Sequence, residues 1–132
     1  MHSPEEAAAF FVEAINAHDP RRIVDLMTPD GVFVDSLGVS FGIEGLLEAW
    51  GEYFRMVPDY SIAVEETVSR GELVVLLGTA EGTYAPDGVL RTASRFKVHA
   101  AWRAVVRGGS VATWQVYADN KPVYDLMRRH RA

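Results

Sequence analysis

Residues 95–107 read RFKVHAAWRAVVR, and this stretch decides the fold class because its side chains alternate in character. One face of an extended chain would carry Phe96, Val98, Ala100, Trp102 and Ala104. The other face would carry Arg95, Lys97, His99, Ala101 and Arg103. A sheet with one covered face and one open face requires this pattern. The stretch therefore predicts the main part of a long strand over residues 90–107.

The second half of the chain predicts further strands around this one. Residues 60–69, 72–84 and 110–119 have strand-like composition, and glycine-containing turns separate them. A shorter strand is predicted over Gly31–Asp35, after a turn at Thr28–Gly31. Consecutive strands joined by short turns favour an antiparallel meander.

The first half of the chain carries helix signals instead. Ser3-Pro4-Glu5-Glu6 combines a capping box with a proline at the first helical position, and Asp19-Pro20 repeats the cap and the proline. Helical spacing of apolar residues predicts another helix over residues 43–57, and Lys121-Pro122 predicts a last one. The order indicates a single α+β domain over residues 1–132, with helices packed on a strongly curved antiparallel sheet around an apolar pocket.

The composition narrows the classes of function. The net charge is −5 with no basic cluster before the C-terminal tail, so we expect no nucleic-acid partner. There is no cysteine, which excludes disulfides and thiol chemistry. No apolar run reaches the roughly 18 residues of a membrane span, and the first residues are acidic where a signal peptide is basic. We therefore expect a cytoplasmic protein that does not enter membranes.

Three segments carry a resemblance to a known superfamily. They are NAHD at residues 16–19, GVFVD at residues 31–35 and GGSVATWQVYAD at residues 108–119. In this order they resemble the nuclear transport factor two-like superfamily, which includes SnoaL-like polyketide cyclases and ketosteroid isomerase. The resemblance implies a cone-shaped fold, a small hydrophobic ligand, no cofactor and a homodimer formed through the outer face of the sheet. It does not by itself imply an activity, because one fold hosts many functions.

Asp35 is the candidate catalytic residue. It lies two positions after Phe33, so both side chains are expected on the same face of the strand. By the resemblance, Asp35 matches the general base of ketosteroid isomerase. Apolar surroundings raise the pKa of a carboxylate and so make it a stronger base. Such a base can remove a proton from the carbon next to a carbonyl group. The alternative interpretation is structural: aspartate often opens a bend such as the one at Leu37-Gly38.

The catalytic partners of two related enzymes are missing. By the resemblance, the oxyanion donors of ketosteroid isomerase correspond to Phe11 and Ala100, and neither side chain can donate a hydrogen bond. The polar set of limonene epoxide hydrolase corresponds to Val116, Gly78 and Ala80, which are also apolar or small. The chain is therefore expected to be neither of these enzymes in the strict sense.

Other residues are predicted to form the pocket and to donate hydrogen bonds. The candidate donors are Trp50, Tyr53, Trp102, Trp114 and His99, although the charged neighbours of His99 favour the outer surface. Small residues on one face of residues 72–84 predict a void opposite the aromatic rings. The predicted pocket residues are Phe11, Ile15, Met27, Phe33, Trp50, Phe54, Gly78, Ala80, Gly82, Trp102, Trp114 and Val116. His2, His18 and His130 are expected to be solvated, and no histidine pair has metal-ligand spacing.

Two functions remain open from the sequence. The first is a SnoaL-like enzyme of the isomerase, cyclase or dehydratase type, with Asp35 as general acid and base on a hydrophobic carbonyl compound. The second is a domain of the same fold that binds a hydrophobic ligand or dimerises without catalysis, which the missing donors at Phe11 and Ala100 favour.

Overall fold

The computed structural model describes the backbone of residues 1–131 and the side chains up to residue 129. The helices are α1 (Pro4–Asn16), α2 (Pro20–Asp25), α3 (Ile43–Met56) and α4 (Lys121–Arg131). The strands are β1 (Met27–Val34), β2 (Ser40–Gly42), β3 (Ser61–Arg70), β4 (Leu73–Thr83), β5 (Arg95–Arg107) and β6 (Ser110–Ala118). No helix in this described part is long and apolar enough to cross a membrane.

The predicted helix caps are confirmed. The Ser3 hydroxyl accepts a hydrogen bond from the Glu6 amide at 3.1 Å, and the Glu6 carboxylate accepts one from the Ser3 amide at 2.9 Å. The Asp19 carboxylate accepts one from the Arg22 amide at 3.1 Å at the start of α2. These side chains satisfy amides that have no partner inside the helix.

The strands form one sheet in the order β2-β1-β6-β5-β4-β3. The pairings from β6 to β3 are antiparallel, as the meander predicts, but β1 runs parallel to β6. The sheet is therefore mixed rather than wholly antiparallel. Alternation along a strand shows which face is buried but not which strand lies beside it, and β1 and β6 are far apart in the chain.

The start of β1 also differs from the prediction. Thr28–Gly31 was expected to be a turn before the strand, but it lies inside β1. Met27 pairs with Val111 and Val32 pairs with Thr113, so this segment forms an irregularity in the strand rather than a connection. The short β2, which the sequence analysis did not predict, pairs with Val32–Val34 after the bend that follows Asp35.

The covered face of the sheet is the one that the alternation of β5 predicts. Phe96, Trp102 and Ala104 are buried, whereas Lys97 and His99 are exposed on the other face. Helix α1 packs on the covered face, where the ring of Phe11 stacks on that of Trp114 with centroids 4.4 Å apart. This contact joins the helical layer to the sheet.

The NAHD segment fastens the end of α1 to the start of β3. The side-chain amide of Asn16 donates to the carbonyl of Ile62 at 3.0 Å and accepts from the amide of Ile62 at 2.8 Å. His18 Nε2 lies 2.6 Å from the Tyr60 carbonyl, and the ring stacks on Phe54 at 4.2 Å. A carbonyl only accepts, so Nε2 carries the proton. The expectation that His18 is solvated was therefore wrong, and His130 lies outside the described side chains.

The void predicted beside the small residues of β4 is filled. A Cβ on Gly78 would lie 1.8 Å from the Ala63 carbonyl oxygen, and one on Gly82 would lie 2.5 Å from a methyl group of Val57. Gly78 faces a register shift in β3 between Val64 and Glu66, which brings the two backbones together. The glycines allow close packing of neighbouring segments and leave no space for a ligand.

We predict that Gly78→Ala strongly destabilises the protein, by at least about 2 kcal/mol in the free energy of unfolding, because overpacking forces the backbone to move. Gly45→Ala is the matched control. Gly45 lies exposed in α3 with nothing within 4 Å of its Cβ position, so alanine should stabilise the helix by about 0.5–1 kcal/mol. Urea unfolding of both variants measures the difference, and a neutral Gly78→Ala would contradict the close approach.

Candidate functional site

A cavity of about 310 Å³ lies between the helices and the covered face of the sheet. This volume is at the lower end of the range for small-molecule sites. Its walls come from α1, β1, β2, α3, β3, β5, β6 and α4, with the segments after β1, before β3 and before α4. The lining residues are Ile15, Phe33, Asp35, Ser36, Phe41, Leu46, Ala49, Trp50, Tyr53, Tyr60, Ile62, Trp102, Trp114, Val116, Asn120, Tyr124 and Met127.

Aromatic rings dominate the walls and support one another. Trp50 meets Phe33 edge-on at 5.5 Å and stacks on Phe54 at 5.1 Å. Packed rings have few alternative rotamers, so the cavity is preformed rather than created by a ligand. All three tryptophans of the chain line this cavity, which makes their fluorescence a direct reporter of its contents.

Asp35 lies at the edge of the cavity, half-buried at the end of β1. Its Oδ1 accepts hydrogen bonds from the amides of Leu37 at 2.9 Å and Val39 at 3.0 Å. These bonds close the bend between β1 and β2 and hold the carboxylate in one orientation. Among the described residues, none donates a hydrogen bond to Oδ2, so this oxygen is available for chemistry.

The bend next to Asp35 is tied to the last helix. The side-chain amide of Asn120 donates to the Ser36 hydroxyl oxygen at 2.8 Å, and both residues line the cavity. The Asn120 carbonyl accepts from the Tyr124 amide at 3.0 Å and so begins the first turn of α4. Asp35, Ser36 and Asn120 thus form a polar group on one part of an otherwise apolar wall.

Two indole nitrogens in the wall have no hydrogen-bond partner in the described part of the chain. They are Nε1 of Trp50 and Nε1 of Trp114, and both atoms are buried. An unsatisfied buried donor costs about 1–3 kcal/mol, so its retention calls for an explanation. Both rings line the cavity, but neither nitrogen atom is itself exposed, so a ligand acceptor reaches these donors only if the rings turn.

Three tyrosines line the same cavity. The rings of Tyr53 and Tyr60 meet edge-on at 5.0 Å, and Tyr124 comes from α4. Desolvation raises the pKa of Tyr60 above its ordinary value. It also raises the pKa of Tyr53, with further contributions from the nearby Tyr60 and Tyr124. These two half-buried phenols therefore stay protonated at neutral pH and can donate hydrogen bonds.

The structure brings many of the residues named from the sequence into this cavity. Those that line it are Ile15, Phe33, Asp35, Trp50, Tyr53, Trp102, Trp114 and Val116. Phe11 and Phe54 do not line the cavity but pack against residues that do: Phe11 stacks on Trp114 and Phe54 stacks on Trp50. Met27 lies in the core. Gly78, Ala80 and Gly82 do not line the cavity, and His99 is exposed on the outer face of the sheet.

The sequence analysis did not select four of the polar lining residues: Ser36, Tyr60, Asn120 and Tyr124. Ser36 lies in a connection, where side-chain direction has no period to predict it. Tyr60 begins the predicted strand over residues 60–69, and period-two alternation places it on the face of Ile62. Asn120 and Tyr124 lie four positions apart at the start of the last helix, and that spacing is the signal that could have found these two.

The described side chains include no group of three or more histidine, aspartate or glutamate residues placed to hold a metal ion. The polar atoms of the cavity are instead a carboxylate, hydroxyls, an amide and indole nitrogens. This set is suited to proton transfer and to hydrogen bonding with an organic ligand.

Comparisons with known proteins agree on one family. A family model described as a SnoaL-like domain matches residues 7–114. IdmH from Streptomyces antibioticus, a proposed polyketide cyclase, is 25% identical with a TM-score of 0.79, over 96% of this chain and 99% of its own. No curated protein matches the chain.

Two further solved structures share the fold at lower identity. AclR from Streptomyces galilaeus, a proposed hydroxylase, is 19% identical with a TM-score of 0.76, over 98% of this chain and 82% of its own. A protein with a ketosteroid isomerase-like fold from Catenulispora acidiphila is 20% identical with a TM-score of 0.79, over 92% of this chain and 91% of its own. The nuclear transport factor two-like fold that the resemblance implied is thus confirmed.

We predict that alkaline pH destabilises this protein through Tyr53 and Tyr60. Below pH 10 both phenols are protonated in the folded and unfolded states. Above it only the unfolded chain loses these protons readily, because burial raises the pKa values in the folded state. The free energy of unfolding should then fall by about 1.4 kcal/mol per pH unit for each such tyrosine.

Urea unfolding between pH 9 and 11 tests this prediction. Tyr60→Phe should lose less stability over that interval than the unaltered protein, by on the order of 1 kcal/mol. Tyr117→Phe is the control, because Tyr117 is 50% exposed on the outer face and should leave the pH dependence unchanged. Equal pH dependence in all three proteins would show that the cavity phenols are not desolvated.

Proposed function

Because the chain belongs to the SnoaL-like domain family, we propose that it is a small-molecule enzyme of the isomerase, cyclase or dehydratase type. Its substrate is a hydrophobic compound with a carbonyl group, and Asp35 is the general acid and base. The observation that carries the proposal is one carboxylate in the wall of a largely aromatic cavity. The similarity to IdmH, a proposed polyketide cyclase, supports the same class of reaction.

The hydrogen bonds of Asp35 suit this role. Because Oδ1 is held by the amides of Leu37 and Val39, Oδ2 is the oxygen that remains for the reaction. In the proposed step, Oδ2 takes a proton from the carbon next to the carbonyl, and the electron pair moves to the carbonyl oxygen to form an enolate. Where a double bond next to the α-carbon extends the enolate, returning the proton at the far carbon of that double bond gives an isomer. Neither step needs an external electron carrier, so we propose that no cofactor takes part.

The enolate oxygen needs hydrogen-bond donors, and the indoles of Trp50 and Trp114 are the candidates. The corresponding ketosteroid isomerase positions hold Phe11 and Ala100, which have no donor in the side chain. The two unpaired N–H groups are on rings that line the cavity. An N–H group that gains a hydrogen bond only from the ligand oxygen stabilises the bound enolate. Each donor of this kind typically raises the rate of an enzyme-catalysed reaction by about 10²–10³.

We predict that the protein accelerates hydrogen–deuterium exchange at the α-carbon of cyclic ketones such as 1-tetralone in D₂O, followed by NMR. This measurement tests proton transfer without knowledge of the natural substrate. Asp35→Asn should lower the accelerated exchange by about 10²–10⁴. The introduced amide has an oxygen that can still accept from Leu37 and Val39, so the bend should be kept.

Asp30→Asn is the matched control, since Asp30 also lies on β1 but its side chain is 75% exposed and outside the cavity wall. This variant should catalyse the exchange at the rate of the unaltered protein. If a bound ketone exchanges as fast in Asp35→Asn as in the unaltered protein, Asp35 has no role in proton transfer.

The second candidate function is ligand binding without catalysis. It is favoured by the same Oδ1 contacts, because closing a bend is a sufficient structural role for Asp35. Tight binding of ketones with no accelerated exchange, and with unchanged affinity in Asp35→Asn, would support this function instead.

We also propose that the chain forms a homodimer through the open face of the sheet. Leu77 pairs with Ala101, which pairs with Tyr117, so these side chains form one row across three strands. Leu77 is 38% exposed and Tyr117 is 50% exposed, and Val68 lies exposed in the neighbouring row. Exposed apolar side chains in contiguous rows favour association with a second copy. A cytoplasmic location stays a prediction of the sequence.

Sedimentation tests the dimer. The unaltered protein should sediment at twice the chain mass of 14.6 kDa, and Leu77→Lys should shift it towards the monomer, because a charge would be buried in the interface. Val89→Lys is the control, since Val89 is 50% exposed in a loop away from that face. A monomeric unaltered protein at high concentration would refute the proposal.

A further inference from the structure

Three tyrosines from different parts of the chain meet in the cavity, and the proposed proton transfer does not use them. Tyr53 comes from α3, Tyr60 from the segment before β3, and Tyr124 from α4. The edge-on contact of Tyr53 and Tyr60 at 5.0 Å holds two of the rings together. Their convergence needs three separate elements to pack, so it does not follow from any local pattern.

The backbone around Tyr60 is held firmly. Its carbonyl accepts the hydrogen bond from His18 at 2.6 Å, and its amide donates to the Val57 carbonyl at 3.1 Å. The neighbouring Ile62 is bound through both its amide and its carbonyl by Asn16. The NAHD segment at the end of α1 thus fixes the position from which the Tyr60 ring enters the cavity.

The three hydroxyl groups are unpaired in the described part of the chain, since no residue there hydrogen-bonds to any of them. Desolvation raises the pKa of Tyr53 and Tyr60, so both remain neutral donors at physiological pH. A ligand that fills the cavity would remove these hydroxyls from water, which is costly unless one of its polar atoms meets them. The rest of the wall around them is mainly apolar, so a ligand atom is the natural partner.

We infer that Tyr53, Tyr60 and Tyr124 form a tyrosine subsite that binds a second oxygen substituent of the ligand, separate from the carbonyl that reacts at Asp35. The inference rests on the proposed function for the site and narrows its substrate class. The ligand is a ring ketone that carries a further hydroxyl or carbonyl group. A plain hydrocarbon ring would leave all three hydroxyls unpaired.

The geometry of α4 separates the tyrosine subsite from the polar group at Asp35. Asn120 is bonded to Ser36, the residue after Asp35, whereas Tyr124 lies one helical turn further along. Four residues of α-helix correspond to a rise of about 6 Å. The two ligand oxygens are therefore expected on different parts of the ring system rather than on one carbon atom.

The test compares 1-tetralone with its singly hydroxylated isomers, which differ from it by one oxygen. Binding is measured by quenching of the tryptophan fluorescence, since all three tryptophans line the cavity. At least one hydroxytetralone should bind about 2- to 10-fold more tightly than 1-tetralone, which corresponds to one net hydrogen bond. No preference for any isomer would overturn the inference.

Phenylalanine variants show which tyrosine is responsible for the tighter binding of the hydroxytetralone. Tyr53→Phe, Tyr60→Phe and Tyr124→Phe remove only the hydroxyl, so the rings still fill the wall, and each variant is scored separately. At least one of them, and the triple variant, should lose the preference while the affinity for 1-tetralone stays within about 2-fold. Tyr117→Phe, on the outer face, should keep it. A preference that survives in the triple variant would overturn the inference.

The outcome is independent of catalysis by Asp35. Tighter binding of a hydroxytetralone than of 1-tetralone supports the subsite if it depends on the tyrosines. This holds even when the protein does not accelerate hydrogen–deuterium exchange at the α-carbon. Accelerated exchange without any such preference supports Asp35 as the base and rejects the subsite.

Discussion

The structure depends on the burial of one face of the sheet. The stacking of Phe11 on Trp114 at 4.4 Å marks where α1 meets that face, and the alternation of β5 places Trp102 beside it. The large rings do not fill the whole space between the helices and the sheet. The cavity is the space that remains, and its walls are aromatic because the core residues next to it are aromatic.

Several polar groups enter this apolar space from the ends of elements. Asp35 follows β1, Tyr60 precedes β3, and Asn120 precedes α4. A chain end can turn a polar side chain inward while its backbone is satisfied by local bonds, as the Leu37 and Val39 amides do for Asp35. This arrangement explains how a mainly apolar cavity can hold a carboxylate and an amide in its wall.

One of the three segments that resemble the superfamily, NAHD at residues 16–19, has a clear structural role. Asn16 and His18 bind the backbone at Ile62 and Tyr60, so the NAHD motif holds the fold together rather than performing chemistry. Asp59 has a similar role, since its two oxygens accept from the amide and the hydroxyl of Thr83 at 2.7 Å each. A motif can therefore identify the fold reliably and still carry little information about the reaction.

The sequence by itself determined the helix starts, the buried face of β5 and the outward position of His99, because capping and period-two alternation are local effects. It also placed Asp35 on the face of Phe33, and both residues do line the cavity. Only the tertiary structure decided what lies opposite each face. Gly78 looked like the floor of a pocket, but it accommodates the Ala63 carbonyl of a bulged neighbouring strand. Tyr60 and Tyr124 meet Tyr53 only after β3 and α4 have packed, because a local pattern specifies direction but not the distant segment that will occupy the space.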